Sequence, residues 1–377
     1  MRGRWIRVMA ALAFTACGHS DAFIPANSTV GPFNTGTDIR LTLNPEQDYW
    51  PAWTDDGRGI LYAFINPVEA GIAANRHRCM GILPASGGSR IWQLCDDRAV
   101  RSDSATSFIA YALGTDGRLL YAEALAPAAN ASIPRQITLW LADTAHPLDR
   151  TALLTLPAAL PSVTWLADLT WTGPNSFLAL GEVFASFPHC SVCFTSDSIF
   201  INAPGTVVAG TIAGTQATLQ PVPGTDGATG YSLAENGASI VFIRRDDAQL
   251  YKVPVGGGTA SALQTGAIPQ LVGVSCKGST CLVATDALTF SNGDIGPPIF
   301  PSVANGPKEL RSVSLRDGTT QVLRSFGTSP AIPIVAVPKI SPASGDVVVQ
   351  IGGVWGHLQT NSGAGSSDLH LYPAIVP

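Results

Sequence analysis

The sequence predicts an all-β protein built from repeated antiparallel sheets set around a ring. Three observations predict it. The 377 residues include 38 glycines and 28 prolines, with few strong helix formers, a composition of turns and strands rather than helices. A unit of apolar strand, tight polar turn and second apolar strand recurs from residue 38 onward. An unassigned strand precedes the first unit, and the last unit stops one strand short.

The units follow one another along the chain. The clearest copy is DYWPAWTDDGRGILYAF at 48–64. Others are TSFIAYALGTDGRLLYAEAL at 106–125, LADLTWTGPNSFLALGEV at 166–183 and TGYSLAENGASIVFIRR at 229–245. QLVGVSCKGSTCLVATD at 270–286 and AVPKISPASGDVVVQIG at 336–352 complete the series. Their turn markers are Gly57, Gly117, Asn175, Gly237, Gly278 and Gly345, spaced roughly 40–70 residues apart, the period of a propeller blade. Asp-Gly and Asn-Gly pairs supply residues that tolerate the positive φ of a tight hairpin. A second hairpin follows in several units, as at 79–83 and 90–95 around the turn 84–89. Another is at 249–253 and 260–263 around Gly256-Gly257-Gly258.

Such sheets cannot bury both faces alone but do so when stacked around an axis. The predicted architecture is therefore a six-bladed β-propeller of four-stranded antiparallel blades over residues 38–377. The strand at 38–43 completes the last blade, closing the ring by pairing N- and C-terminal strands and leaving fewer free edges. Seven blades is the architectural alternative, since ragged spacing can conceal a degenerate unit.

The first residues read as an export signal. Arg2, Arg4 and Arg7 precede a short apolar stretch at 8–16 that ends on Cys17. Phe14-Thr15-Ala16 before that cysteine resembles the lipobox of bacterial lipoproteins, where the family has Leu at the position of Phe14. The resemblance implies removal of 1–16 and acylation of Cys17. Ordinary cleavage after residues 11–13 is the alternative. Gly18 stands where the lipoprotein sorting pattern places Asp for inner-membrane retention, which points to the outer membrane, facing the periplasm or the cell exterior. Residues 17–37 are small and polar and read as a flexible tether, spanning about 25 Å as a random chain. Later apolar runs such as 331–338 fall far short of the roughly 20 residues of a membrane helix.

Losing the three arginines takes the formal charge from −5 to −8. Charged residues make up 13% of the chain and form no basic stripe, which argues against nucleic-acid binding. Besides Cys17 there are Cys79, Cys95, Cys190, Cys193, Cys276 and Cys281. An even number in an exported chain reads as disulfides, and local spacing favours pairing each with its sequence neighbour.

The stretch 48–64, with Pro51-Ala52-Trp53 and Asp55-Asp56-Gly57-Arg58, resembles the repeat of TolB-like propellers. In that repeat a Pro-x-Trp-Ser-Pro-Asp-Gly run precedes an apolar strand. Residues 83–88, Leu-Pro-Ala-Ser-Gly-Gly, resemble its second hairpin. Thr54-Asp55 replace Ser-Pro, and the third, fifth and sixth units have largely lost the motif. The resemblance implies a fold, not an activity, because propellers carry many unrelated functions.

Candidate chemistry is sparse. Cys190-Ser191-Val192-Cys193 has the spacing of a redox or metal motif, but no second metal pair accompanies it, and a loop-tying disulfide is the plainer reading. His19, His77, His146, His189, His357 and His370 form no zinc spacing. There is no G-x-S-x-G nucleophile elbow. Asp55-Asp56-Gly57 offers too few oxygens for calcium and reads as a hairpin turn. The innermost strands, read as 51–53, 109–112, 169–171, 231–233, 271–273 and 337–340, carry Lys339 as their one formal charge. Long connections between second and third strands, at 66–78, 126–135, 184–197, 288–308 and 353–367, would emerge on one face. They form either an interaction surface or loops that have drifted neutrally. The expected function is a non-catalytic envelope module binding a protein, peptide or glycan, without a cofactor. The alternative is a propeller enzyme acting on a glycan or small ester through loop-borne residues.

Overall fold

The structure is a computed structural model that describes residues 38–42, 48–65, 78–95, 106–125, 136–182, 205–244, 246–247, 249–263, 271–285, 288–289, 302–303, 308–327, 335–352 and 367–376. After the short strand β1 (Ile39–Arg40), a first sheet is formed by β2 (Asp48–Trp53), β3 (Gly59–Ile65), β4 (Arg78–Pro84) and β5 (Trp92–Cys95). The second has β6 (Thr106–Leu113), β7 (Arg118–Leu125), β8 (Gln136–Asp143) and β9 (His146–Leu156). The third has β10 (Trp165–Gly173), β11 (Ser176–Glu182), β12 (Gly205–Ala213) and β13 (Gln216–Pro221). The fourth has β14 (Ala228–Ala234), β15 (Ser239–Arg244), β16 (Gln249–Pro254) and β17 (Ser261–Ala262), joined to the third by a bridge between Gly205 and Ala228.

In the fifth sheet, β18 (Leu271–Lys277) and β19 (Thr280–Thr285) precede a small hairpin, β20 (Leu288–Thr289) with β21 (Ser302–Val303). It continues with β22 (Lys308–Ser314) and β23 (Thr320–Gly327). The last holds β24 (Val335–Ile340), β25 (Val347–Gly352) and β26 (Ser367–Tyr372), with β1 on its outer edge. The protein is thus all-β, with antiparallel four-stranded sheets in a propeller-like arrangement.

The pleat explains the apolar runs. Successive side chains of a strand point to opposite faces, and both faces of these sheets are covered. From β3, Ile60, Tyr62 and Phe64 pack with Val348, Leu369 and Leu371 of the last sheet. The alternate residues Leu61 and Ala63 pack with Tyr111, Leu119 and Tyr121 of the second. The core therefore lies between neighbouring sheets, and burying one such large side chain contributes about 1.5–3 kcal/mol.

Each first strand carries a register slip that begins in its first half, and β10 has a second between Trp171 and Gly173. The early slips fall between Tyr49 and Ala52, Phe108 and Ala110, Ala167 and Thr170, Ala228 and Gly230, Leu271 and Gly273, and Ala336 and Lys339. Such bulges free backbone groups from the ladder, and side chains of neighbouring sheets bond the backbone nearby. Tyr111 donates its hydroxyl to the Trp50 carbonyl at 2.6 Å, and Tyr231 does so to that of Asp168 at 2.5 Å. The indoles of Trp53 and Trp171 donate to the carbonyls of Lys339 (2.8 Å) and Ala112 (3.3 Å). Ser232 and Ser275 accept from the amides of Cys276 (2.8 Å) and Ile340 (2.9 Å).

Outer strands are fastened by arginines. Arg90 donates to the Tyr62 hydroxyl at 2.9 Å and lies 3.6 Å over the Phe64 ring. Arg150 donates to the equivalent Tyr121 at 2.8 Å and lies 4.1 Å over Trp140. β5 begins at Trp92 rather than at residue 90 as the sequence implies, with the Arg90 side chain laid back on Tyr62.

The turn markers are in place. Gly57 and Gly117 sit at φ 67° and 82°, where a side chain would be strained. Gly345 is required for another reason: a Cβ there would collide with the Val376 carbonyl. Of the expected strand at 38–43, Ile39 and Arg40 form the ladder and the Leu41 amide adds a bond to the Leu369 carbonyl; Leu43 lies outside the described residues.

Replacing Tyr111 or Tyr231 by Phe removes one donor and leaves a carbonyl unsatisfied between sheets. Each variant should lose about 1–2 kcal/mol of stability in urea unfolding. Unchanged midpoints would show that these bonds do not hold the sheets together.

Candidate functional site

Two of these slips place a residue other than glycine at positive φ: Trp50 at 56° and Asp168 at 48°. Such conformations are uncommon and persist where the surroundings fix them. Trp50 is held from both sides, since its amide donates to Gln350 Oε1 at 3.1 Å and its carbonyl accepts from Tyr111. Asp168 is held by Tyr231 through its carbonyl, which leaves its carboxylate pointing elsewhere.

That carboxylate meets Lys339. Asp168 Oδ1 lies 3.3 Å from Lys339 Nζ, with the side chains 30% and 23% exposed. Asp168 is on β10 and Lys339 on β24, the inner strands of the third and last sheets. Glu182, at the end of β11 opposite Trp165, is fully buried and within range of the Asp168 charge. Burial first, and the Asp168 charge second, push its carboxyl well above the usual glutamate range. Burial likewise raises the phenol of Tyr231, with the Asp168 charge adding to the rise, so it stays a donor. The group combines a water-accessible ion pair, a carboxyl that keeps its proton unusually long, and a fixed hydroxyl. Of these, only Asp168 and Lys339 are open to water and could meet a polar group along the inner strands. Among the described residues no three or more His, Cys, Asp or Glu side chains stand together as a metal cage.

The sequence reading placed Lys339 alone among the inner-strand charges. This is corrected: β10 begins at Trp165, earlier than expected, and brings in Asp168. The available signal was an acid inside an otherwise apolar run, as in Leu166-Ala167-Asp168-Leu169 and Leu180-Gly181-Glu182-Val183. Other expectations fall as follows. Cys79–Cys95 and Cys276–Cys281 are disulfides between directly opposed residues of paired strands. Cys17, Cys190 and Cys193 lie outside the described residues, as do most of the long connections expected on one face. Asp55-Asp56-Gly57 is a hairpin turn, in which Asp56 accepts from the Thr54 hydroxyl (2.6 Å) and the Arg58 amide (3.0 Å). His370 is buried against Asp38 at 3.2 Å.

Several solved structures are similar to the chain in fold. In fold the chain is similar to TolB from Acinetobacter baumannii, at 13% identity and a TM-score of 0.48, over 85% of this chain and 65% of that one. It is also similar to a gluconolactonase from Xanthomonas campestris, at 11% identity and a TM-score of 0.49, over 90% and 89% of the two chains. A luciferin-regenerating enzyme matches at 12% identity and a TM-score of 0.48, over 87% and 91%. No protein-family model and no curated protein sequence matches the chain.

The raised carboxyl of Glu182 makes a prediction with a definite sign. A folded-state value above the ordinary 4.5 means the native protein binds this proton more tightly than the unfolded chain. Stability from this group is therefore greatest in acid and declines as pH rises past 4.5. Glu182→Gln removes the decline, so thermal melts should show the variant gaining on the wild type between acid and neutral pH. A constant difference across that range would count against the assignment.

Proposed function

We propose that the six sheets are the blades of a closed six-bladed propeller, tethered to the outer membrane by a lipid on Cys17. The propeller serves as a rigid binding module for a protein, peptide or glycan of the cell envelope. Ring closure is supported by the order of packing: β2 lies against β6, β6 against β10, β14 against β18, β18 against β24 and β24 against β2. Tyr231 links β14 to β10, and β1 pairs with β26. Two disulfides suit a chain that folds in an oxidising, exported compartment. The observation that carries the binding reading is the Lys339–Asp168 pair, in which inner-strand charges from opposite blades engage each other. A frame pinned in this way leaves recognition to the connections it displays.

One observation favours a second reading. Glu182 and Asp168 are acids with contrasting environments, one fully buried and proton-holding, the other partly exposed beside a cation. That division between acid and base is what glycosidic or ester hydrolysis needs, so the alternative is an enzyme acting on a glycan or small ester.

Two experiments test these readings. Intact mass and thiol counting on protein from native membranes should give an acylated Cys17 and no free thiol. A mature chain with an unacylated start refutes the anchor, and free Cys190 and Cys193 refute the third disulfide. Cross-linking in the native envelope should then capture a partner through wild-type protein and through Asp168→Asn. Alanine blocks across 184–197 or 288–308 should lose it. Loss with folded Asp168→Asn, and retention with the blocks, would move the site to the inner-strand acids.

A further inference from the structure

The strand that completes the last sheet has a ladder as short as that of β17 in the fourth sheet, but it comes from the other end of the sequence and is fastened by charged side chains. Its ladder is two residues long, Ile39 opposite Leu371 and Arg40 opposite His370. The Leu41 amide adds a bond to the Leu369 carbonyl at 2.7 Å. Side chains do the rest, and they alternate as a strand demands. On one side, Asp38 Oδ2 meets His370 Nδ1 at 3.2 Å, Arg40 Nη2 meets Asp368 Oδ2 at 2.5 Å, and the Thr42 hydroxyl accepts from the Leu369 amide at 2.9 Å. On the other side, Ile39 and Leu41 pack with Ile60, Val348 and Leu369. The Asp38–His370 pair is almost wholly buried, and Arg40 and Asp368 are 16% and 10% exposed.

In the other sheets the fourth strand follows the third in the chain, whereas β1 reaches β26 from the opposite end of the sequence. No short turn obliges it to stay. The geometry points to the β26 edge being a strand-binding site for an extended peptide of the pattern acid–x–Arg–apolar–Thr, which residues 38–42 occupy in cis. Recognition follows strand addition, with main-chain bonds giving adhesion and alternate side chains giving selectivity. Asp368 and His370 read the arginine and the acid, and the cleft beside Ile60 reads the apolar residue. An intramolecular strand competes at an effective concentration on the order of millimolar, so a partner peptide enters when the cis strand is weakened. This inference rests on the closed-ring reading of the N-terminal strand.

The test uses full-length protein in detergent and a fluorescein-labelled peptide of residues 36–44, followed by anisotropy. Arg40→Ala protein should bind the wild-type peptide at least tenfold more tightly than wild-type protein does. A peptide carrying Arg40→Ala should bind it at least tenfold more weakly. Asp368→Arg protein should reject the wild-type peptide and accept one carrying Arg40→Asp. Equal binding of all peptides overturns the site. Hydrogen exchange on wild-type protein decides independently, including where a variant fails to fold. Protection at 38–42 that is present but at least tenfold below that of β25 supports an exchangeable strand. Protection equal to β25 overturns the proposal and leaves the closed ring standing. No protection overturns both.

Discussion

Sheets packed face to face share little backbone ladder, here one bridge between Gly205 and Ala228 among the described residues, so something else must satisfy the groups their inner strands expose. Here it is a set of side-chain bonds from one sheet to the backbone of the next. Tyr111, Tyr231, Trp53 and Trp171 donate, and Ser232 and Ser275 accept. A buried backbone group left without a partner costs about 1–3 kcal/mol. Each bond therefore fixes one sheet against another with an energy comparable to a core side chain, and it adds direction that apolar packing lacks. The bulges are part of this arrangement. By turning Trp50 and Asp168 into positive φ, they present carbonyls to the neighbouring sheet instead of to their own.

That dependence explains what the sequence made legible. Turns are local: Asp56-Gly57 and Asp116-Gly117 announce themselves through the φ that glycine permits. Strands covered on both faces read as unbroken apolar runs, as in Ile60-Leu61-Tyr62-Ala63-Phe64. The sheets and the opposed cysteines could therefore be read directly. The bulges could not, because which residue leaves the ladder is decided by the neighbouring sheet. Asp168 was passed over for that reason. Its neighbours in the chain are apolar, and its partners Tyr231 and Lys339 lie far along the sequence.

The magnitude of the Asp168–Lys339 pair says what it is for. At 3.3 Å, with both side chains partly open to water, screening holds its contribution to about 1 kcal/mol or less. That is small beside the packing of the sheets, so the pair is not a principal source of stability. Its effect is geometric. It ties inner strands of the third and last sheets, 171 residues apart in the chain, and sets a charge within range of buried Glu182. A carboxyl in that position cannot ionise without meeting both low dielectric and a like charge, so its protonation state is tied to the state of the pair.

The last sheet is completed differently from the others. They complete themselves within a continuous stretch of chain, with ladders of two to six residues between third and fourth strands. The last takes its fourth strand from the far end of the sequence and holds it by two ladder residues, an ion pair, an Asp–His contact and a threonine. Ladder bonds accept almost any sequence, whereas buried ion pairs accept very few, because a mismatched charge in such a place is strongly unfavourable. The join is thus short in backbone and demanding in side chains. Those are the properties of a recognition site, here between two ends of one chain.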